Sequence, residues 1–450
     1  MGSEDLDIES FFALTSEDIL CNTSYPLSPC YFSEYRTTED IMRDVTELSF
    51  YFHIPFCRQL CRFCEYTRFL SGDIDSENEY VEKLKRQTLK YLDTHTIKQL
   101  YGFDIGGGTP TALNTEPFAN LLSFVRKICS SLKLTPTFES SIEFSFSTIN
   151  EEKIDIIAEN KINRVSTGIQ VYDDVLMSEN GRVNASVERM KKIFSRIRDS
   201  GIGKINLDLM YGFSNQTKAM LESTMLIVEE LCPDHVTFYE MRYNMNNLEH
   251  ISINREQLFD EYLYLFNKIK ILGYQGNFGQ NAFSLCNDKG VSSYLYSRMY
   301  DGISYKGFGV SAQSMSSKGI SYNTLKSLNS IYIPKIYSIA EQDVYILPAD
   351  ELAAKYVCIG LYGGQFSLKV LSNILKVDAY EFYSNELLYL LDKRLIAINN
   401  DVCVLTRDGF RVYGAVASLF WSKKHKHKYV LDKKSGYDDF LRVSGNAREY

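Results

Sequence analysis

Between residues 47 and 273 the apolar positions follow two alternating rhythms. Short runs of aliphatic, β-branched and aromatic residues predict strands at 47–54, 100–106, 140–146, 164–171, 204–211 and 235–242. Between and after them, apolar residues three and four apart predict helices at about 76–93, 116–132, 150–161, 186–200, 217–231 and 254–273. Ser186 is placed to cap the fourth helix, because its hydroxyl can accept from an open backbone N–H. Asn163 and Gly203 fall at short helix-to-strand connections. Six strand–helix units in series predict a parallel sheet with helices outside it. Six are too few to close an eight-stranded barrel, so the expected fold is α/β, a partial (β/α)6 TIM-like barrel. Chemistry in such folds gathers at the C-terminal ends of the strands.

The flanks read differently. Residues 1–45 carry no long periodic pattern, and Thr23-Ser24-Tyr25-Pro26 with Pro29 reads as an extended N-terminal arm. The barrel is expected over 46–280, and a Tyr-, Ser- and Gly-rich region that closes it over 281–348. From 349 to 450 the pattern turns mostly helical, with a hairpin at Leu395 to Ile398, Asn399-Asn400 and Val402 to Leu405. That order predicts a winged-helix-like C-terminal domain. The basic run Lys423 to Lys428 reads as a solvated loop.

Composition narrows the function classes. Apolar residues make up 45% and charged residues 24%, as in ordinary globular proteins. A net charge of -8 argues against a nucleic-acid partner. No window reaches the roughly 18 apolar residues of a membrane span, so no membrane partner is expected. The acidic start MGSEDLDIES is unlike a secretory signal.

Seven of the ten cysteines are scattered and read as buried thiols. Cys57, Cys61 and Cys64 are bunched on the loop after the first predicted strand. Thiolates are the usual ligands of iron–sulfur clusters. Three on one loop can hold three irons of a cubane and leave the fourth iron open to a small molecule. A zinc site completed by His53 or a distant cysteine, or chance spacing, are the alternatives at this point.

The segment Tyr51-Phe52-His53-Ile54-Pro55-Phe56-Cys57, followed by Cys61-Arg62-Phe63-Cys64, resembles the radical S-adenosylmethionine family. The likeness is to the branch of oxygen-independent coproporphyrinogen III dehydrogenase, haem chaperones and class C methyltransferases, and it runs from about Thr23 to Ser314. It implies a [4Fe–4S] cluster on Cys57, Cys61 and Cys64, S-adenosylmethionine on the open iron, and a 5′-deoxyadenosyl radical as product of its cleavage. It implies that Tyr51 lies near the cofactor and that Phe63 packs on an adenine or nearby cofactor. Gly107, Gly108 and Thr109, within Gly106 to Thr111, would meet the methionine amino group, and Glu143, ending the third strand, would bind polar groups. Gln170 ends the fourth strand, Arg182 begins the next helical region and Asp208 ends the fifth strand; all three match positions that contact a second S-adenosylmethionine in the dehydrogenase. Gln313, within Gly307 to Ser314, matches a segment passing near the adenine.

The likeness has gaps. Tyr66 stands where the dehydrogenase has another cysteine, and Asn184 where the chaperone has a histidine after Gly-Arg. Tyr296-Ser297-Arg298-Met299-Tyr300 replaces the chaperone's haem-binding stretch. The expectation is therefore a specialised relative that takes hydrogen from a small-molecule substrate, with the second S-adenosylmethionine as methyl or methylene donor. Coproporphyrinogen III decarboxylation, with Arg58, Arg62 and Arg298 as candidates for propionates, and a haem carrier are the alternatives. No substrate-side catalytic residue is legible. The Tyr294, Tyr296, Tyr300, Tyr305 stretch reads equally as a substrate cavity or as core. An oxygen-labile cluster implies a cytoplasmic setting and an electron donor such as flavodoxin or ferredoxin.

Overall fold

The computed structural model describes residues 7–16, 25, 32–241, 254–323 and 342–434. Of the expected N-terminal arm, Thr23, Ser24, Pro26 and Pro29 lie outside the described residues, as does the predicted end of the sixth strand at 242.

Eleven strands build the main sheet: β1 (Glu47–Ile54), β2 (Gln99–Gly107), β3 (Ser140–Phe144), β4 (Arg164–Gln170), β5 (Lys204–Tyr211), β6 (His235–Glu240), β7 (Ala282–Ser284), β8 (Ser304–Phe308), β9 (Gln313–Ser316), β10 (Gly319–Asn323) and β11 (Gln342–Ile346). The spatial order is β11-β10-β9-β8-β1-β2-β3-β4-β5-β6-β7, and a two-residue strand, Arg36–Thr37, adds to the outer edge at β11. Strands β1 to β6 pair in parallel in sequence order, as the strand–helix rhythm predicts. β8 also joins β1 in parallel, so the parallel stretch has one strand more than the six units expected. The sequence shows no helix of ordinary length between β7 and β8, which hides that pairing; only α9 (Ser293–Met299) intervenes. The sheet continues antiparallel at both ends, through β7 and through β9 to β11.

Helices α2 (Ile74–Thr94), α3 (Thr115–Ser131), α4 (Glu151–Glu159), α6 (Val187–Asp199), α7 (Lys218–Leu231) and α8 (Arg255–Ile271) return the chain between strands. Several starts are fixed by side-chain caps: Asp73 accepts from Ser76 N at 2.9 Å, and Ser186 accepts from Arg189 N as expected. Each such cap is worth about 1 kcal/mol. A short helix, α5 (Asp174–Glu179), was not expected.

The alternation along β1 explains the architecture. Leu48, Phe50, Phe52 and Ile54 are fully buried in one core with Val81 and Leu84 of α2 and Phe118 of α3. The intervening Ser49, Tyr51 and His53 meet Ser297, Tyr294 and Thr67 on the other face. The helix side is thus apolar and the inner side polar, which leaves a chamber rather than the packed interior of a closed barrel.

A second core gathers around α10 (Ala349–Tyr362), with α11 (Leu368–Leu375), α12 (Ala379–Phe382) and α13 (Ser384–Asp392). The expected hairpin forms as β13 (Ile396–Asn399) and β14 (Val402–Leu405), joined by β12 (Gln365–Ser367). The segment before the expected arm contains a helix, α1 (Ile8–Ser16), whose Phe11 packs on Trp421 and Tyr429. One expectation is corrected. The basic run opens a helix, Lys423–Lys434, not a loop. His425 is buried there beside Tyr25 and Trp421, so only part of the run is solvated. Among the described residues no helix is long and apolar enough to cross a membrane.

Candidate active site

The cysteine loop follows β1 and is tied to the end of β2. Phe56–Cys57 pairs in parallel with Phe69–Leu70, which closes the loop on itself. Gly108 N donates to Ile54 O at 2.8 Å and Thr109 N donates to Phe56 O at 2.7 Å, fastening the glycine turn beneath the loop. Cys57 and Cys61 are buried, Cys64 is half-buried, and none forms a disulfide. Thr109 Oγ1 lies 3.7 Å from Cys57 Sγ, and Arg182 Nη1 lies 3.9 Å from Cys61 Sγ. Burial first, with the neighbouring Cys64 and Cys61 adding to it, pushes the Cys57 thiol up to about 12.

His53 locks the turn from below. Its Nε2 is 2.8 Å from Thr67 O, and a carbonyl can only accept, so Nε2 carries the proton. Nδ1 then accepts from the Tyr51 hydroxyl at 3.2 Å. Burial lowers the ring from 6.5 to about 4, so it is neutral at physiological pH. A histidine depressed this way binds fewer protons folded than unfolded between pH 4 and 6.5, so stability is full above 6.5 and is lost as pH falls to 4. The loss is about 3 kcal/mol. Urea unfolding at pH 7 and pH 4.5 checks it: His53→Gln is expected to flatten this part of the pH dependence, and an unchanged wild-type slope refutes it.

Gly107 has φ +114, and a Cβ there would meet His53 Cε1 at 2.5 Å. A Cβ on Gly106 would meet Glu143 Oε1 at 2.6 Å. The glycines are therefore required by close approach as well as by backbone geometry. Glu143 Oε2 accepts from Gly107 N at 3.1 Å, and its carboxylate opens onto the chamber. Enclosure by the sheet, then the charge of Asp208, shifts Glu143 upward.

Asp208 lies three residues before the end of β5, not at it, where Asn206 Nδ2 donates at 2.7 Å and Ser166 at 3.3 Å. Gln170 does end β4, with φ 62 and its side chain folded against Gly168. Arg182 does not begin a helix. It lies in the turn after α5, because Asn180 ends that helix and Gly181 takes φ 71. From there its guanidinium bonds to Gly168 O and reaches Cys61, while its Nε is buried without a partner. Phe63 packs edge-on against Phe213 with ring centroids 5.8 Å apart. Tyr51 stacks on Tyr294 at 5.8 Å. Gln313 stands apart from the loop, held between Tyr305 and Tyr322 hydroxyls at 2.7 and 3.0 Å. Its segment does touch the loop, through Thr67 and Ser311 at 2.8 Å.

Three inner-face residues were missed from sequence. Asp104 accepts from Ser292 at 2.6 Å, its other oxygen is buried without a partner, and burial pushes it up to about 7. Arg164 is buried and donates to Ser141, and its charge draws down Asp104, Glu143 and Asp208. His53 had entered only as a zinc ligand. The signal was there: charged residues at alternate positions of otherwise apolar strands mark a solvated inner face.

The donor set fits a cluster better than a single ion. Among the described residues no three His, Cys, Asp or Glu side chains converge to hold one metal ion. A cubane asks for something different, three thiolates each on its own iron. The Arg182 Nε, without a partner among the described residues, leaves an open hydrogen-bond donor on the side chain whose Nη1 reaches Cys61.

Comparison with known proteins agrees. The Radical SAM superfamily profile matches residues 51–227, and that family uses a [4Fe–4S] cluster and S-adenosylmethionine. The chain is 30% identical over 195 residues to the heme chaperone HemW of Bacillus subtilis (strain 168), covering 43% of this chain and 50% of that protein. It is 30% identical over 226 residues to the oxygen-independent coproporphyrinogen III oxidase of Bradyrhizobium diazoefficiens, covering 48% and 49%. The chain thus spans about half the length of the curated relatives it matches. The fold matches the Escherichia coli coproporphyrinogen III oxidase HemN with a TM-score of 0.67 at 19% identity, over 93% of this chain and 94% of that one. Residues 51–227 thus carry the Radical SAM superfamily match, and the chain resembles the HemN-like branch of that superfamily.

Proposed function

We propose that this protein is a radical S-adenosylmethionine enzyme in which Cys57, Cys61 and Cys64 hold the cluster over the polar mouth of the barrel. The observation that carries the reading is the cysteine loop itself, hydrogen-bonded to the glycine turn of β2 above a chamber lined by Tyr51, Glu143 and Asp208. Held by Cys57, Cys61 and Cys64, such a cluster would supply the one-electron reduction by which S-adenosylmethionine is cleaved for hydrogen abstraction from the substrate. The protein's part is to bind, orient and enclose. Gly107 and Gly108 would let backbone approach the methionine end, and the Glu143 carboxylate, which opens onto the chamber, would accept from its ammonium. Arg182 places positive charge at Cys61 and Thr109 a hydroxyl at Cys57, both favouring the thiolate form. The apolar surround of Phe63, Phe213 and Met241 keeps water from the loop's outer side.

Gln170, Arg182 and Asp208 hold a second S-adenosylmethionine as methyl or methylene donor in this reading. Their polar groups all belong to neighbouring strands β4 and β5 or the turn between them. An electron donor such as flavodoxin or ferredoxin supplies the reducing equivalent. One experiment separates the alternatives: anaerobically reconstituted protein is given dithionite, methyl-labelled S-adenosylmethionine and coproporphyrinogen III. Formation of 5′-deoxyadenosine together with S-adenosylhomocysteine and a product that carries the methyl label supports the full proposal. 5′-Deoxyadenosine with protoporphyrinogen and no label transfer replaces methyl donation by oxidative decarboxylation. Binding of haem added in a parallel sample, with neither nucleoside formed, replaces both by a carrier.

A further inference from the structure

Among the described residues one cation of the inner face forms no ion pair, although its charge is felt by Asp104. Arg298 projects from α9, a two-turn helix that lies across the inner side of β1 and β2. Its neighbours fix that placement: Ser297 bonds to Ser49 at 2.8 Å, Ser292 bonds to Asp104 at 2.6 Å, and Tyr294 stacks on Tyr51. Arg298 lies one turn after Tyr294 and so shares its face. Its Nη1 donates to the Tyr294 hydroxyl at 3.3 Å, and its guanidinium sits 4.6 Å from the Tyr305 ring centroid. Its Nε is buried with no hydrogen-bond partner. Among the described residues it forms no ion pair with a carboxylate, whereas Lys204 on the same inner face pairs with both Glu139 and Asp288. Arg58 and Arg62, the other cations considered for anionic groups, are exposed on the cysteine loop.

The surroundings deepen the imbalance. Lys355 of α10 is fully buried and donates to Tyr25 O at 2.8 Å. Burial first and the Arg298 charge second lower Lys355 to about 7, so the two cations feel each other across the contact between barrel and α10. A half-buried guanidinium, its Nε fully enclosed, that faces tyrosine rings and a second cation is costly unless an anion completes it. The planar fork suits a carboxylate or phosphate, and the rings of Tyr294 and Tyr305 suit the organic body that carries it.

We propose that Arg298 anchors the anionic group of the substrate, a carboxylate or phosphate on a small organic molecule lying inside the barrel. This rests on the reading above that the chamber receives the substrate. β1 gives the scale. Tyr305, whose ring Arg298 covers, is in register with Ser49, and His53 sits beneath the glycine turn four residues further on. At about 3.3 Å per residue the two ends are roughly 13 Å apart, so the reacting C–H lies on the order of 10 Å from the anchored anion. Arg298 is a specificity residue in this scheme: it fixes which carbon faces the radical, and takes no part in cleaving the cofactor.

The test is a binding measurement on protein carrying 15Nε-labelled arginine, with and without reconstituted cluster. The Arg298 signal is assigned by its absence in Arg298→Lys. It is titrated with 3-phenylpropionate, phenyl phosphate and the neutral 3-phenylpropanamide. A saturable shift with either anion, absent with the amide and weakened at least tenfold in affinity in Arg298→Gln as read by calorimetry, supports the anchor; which anion wins names the source. A signal that stays fixed with both anions in both forms of the protein overturns it. Because the titration needs no turnover, its failure leaves the cluster reading standing, and a failure of iron loading leaves the anion result standing.

Discussion

Alanine in place of Cys57, Cys61 or Cys64 is expected to abolish iron–sulfur loading and to cut 5′-deoxyadenosine formation by more than about a thousandfold, about 4 kcal/mol of barrier. The expectation follows from the donor count. Each thiolate serves its own iron, so two cannot replace three. Nearby substitutes are poor: Thr109 is a neutral hydroxyl, and Glu65 is an oxygen donor on a loop built for sulfur. Folding should be largely unaffected, because the loop is held by backbone bonds from Gly108, Thr109, Phe69 and Ser71 that involve no cysteine side chain. Absorbance near 400 nm, iron content and nucleoside product are measured on the same preparations. Full iron retention in the Cys57→Ala, Cys61→Ala and Cys64→Ala variants, or undiminished cofactor cleavage, would falsify the assignment of ligands.

The parts of this protein that were legible in its sequence are those governed by local rules. Strand and helix positions from β1 to α8, the short α5 apart, follow from period and capping, because each inner strand buries one face against helices and each helix buries one stripe. The cysteine loop was legible because spacing on a short loop is itself geometry. What was hidden depends on partners distant in sequence. β8 pairs in parallel with β1 across some 250 residues, and nothing in its five residues announces that neighbour. Asp104 reads as an ordinary polar position until Ser292 and Arg298 are placed against it. Arg182 is expected to begin a helical region; the left-handed Gly181 instead turns the chain so that the guanidinium falls back on Cys61. The Lys- and His-rich run looked solvated because its charges dominate composition, while burial of His425 is decided by Tyr25 and Trp421.

Gly107→Val is the second substitution with a large expected effect, and it tests the turn rather than the ligands. At φ +114 a β-branched residue is strained by about 1–3 kcal/mol. Its side chain also enters the space of the His53 ring, where a Cβ alone comes within 2.5 Å. That ring cannot swing away cheaply, because Thr67 O holds one nitrogen and the Tyr51 hydroxyl the other. Displacing it moves Thr67, which belongs to the cysteine loop, and disturbs Gly107 N, which is the donor to Glu143. The variant is therefore expected to load cluster poorly and to lose S-adenosylmethionine binding by at least about a hundredfold, about 3 kcal/mol. Two companions separate the causes. Gly107→Ala keeps the strain with the smallest side chain, and His53→Ala in the Gly107→Ala background removes the clash while leaving the backbone strained. Partial recovery of binding in the double variant, beyond the sum of the single effects, identifies the His53 contact as the coupling between turn and loop. Strict additivity assigns the whole effect to backbone strain, and wild-type binding in Gly107→Val would show that the turn does not approach the cofactor at all.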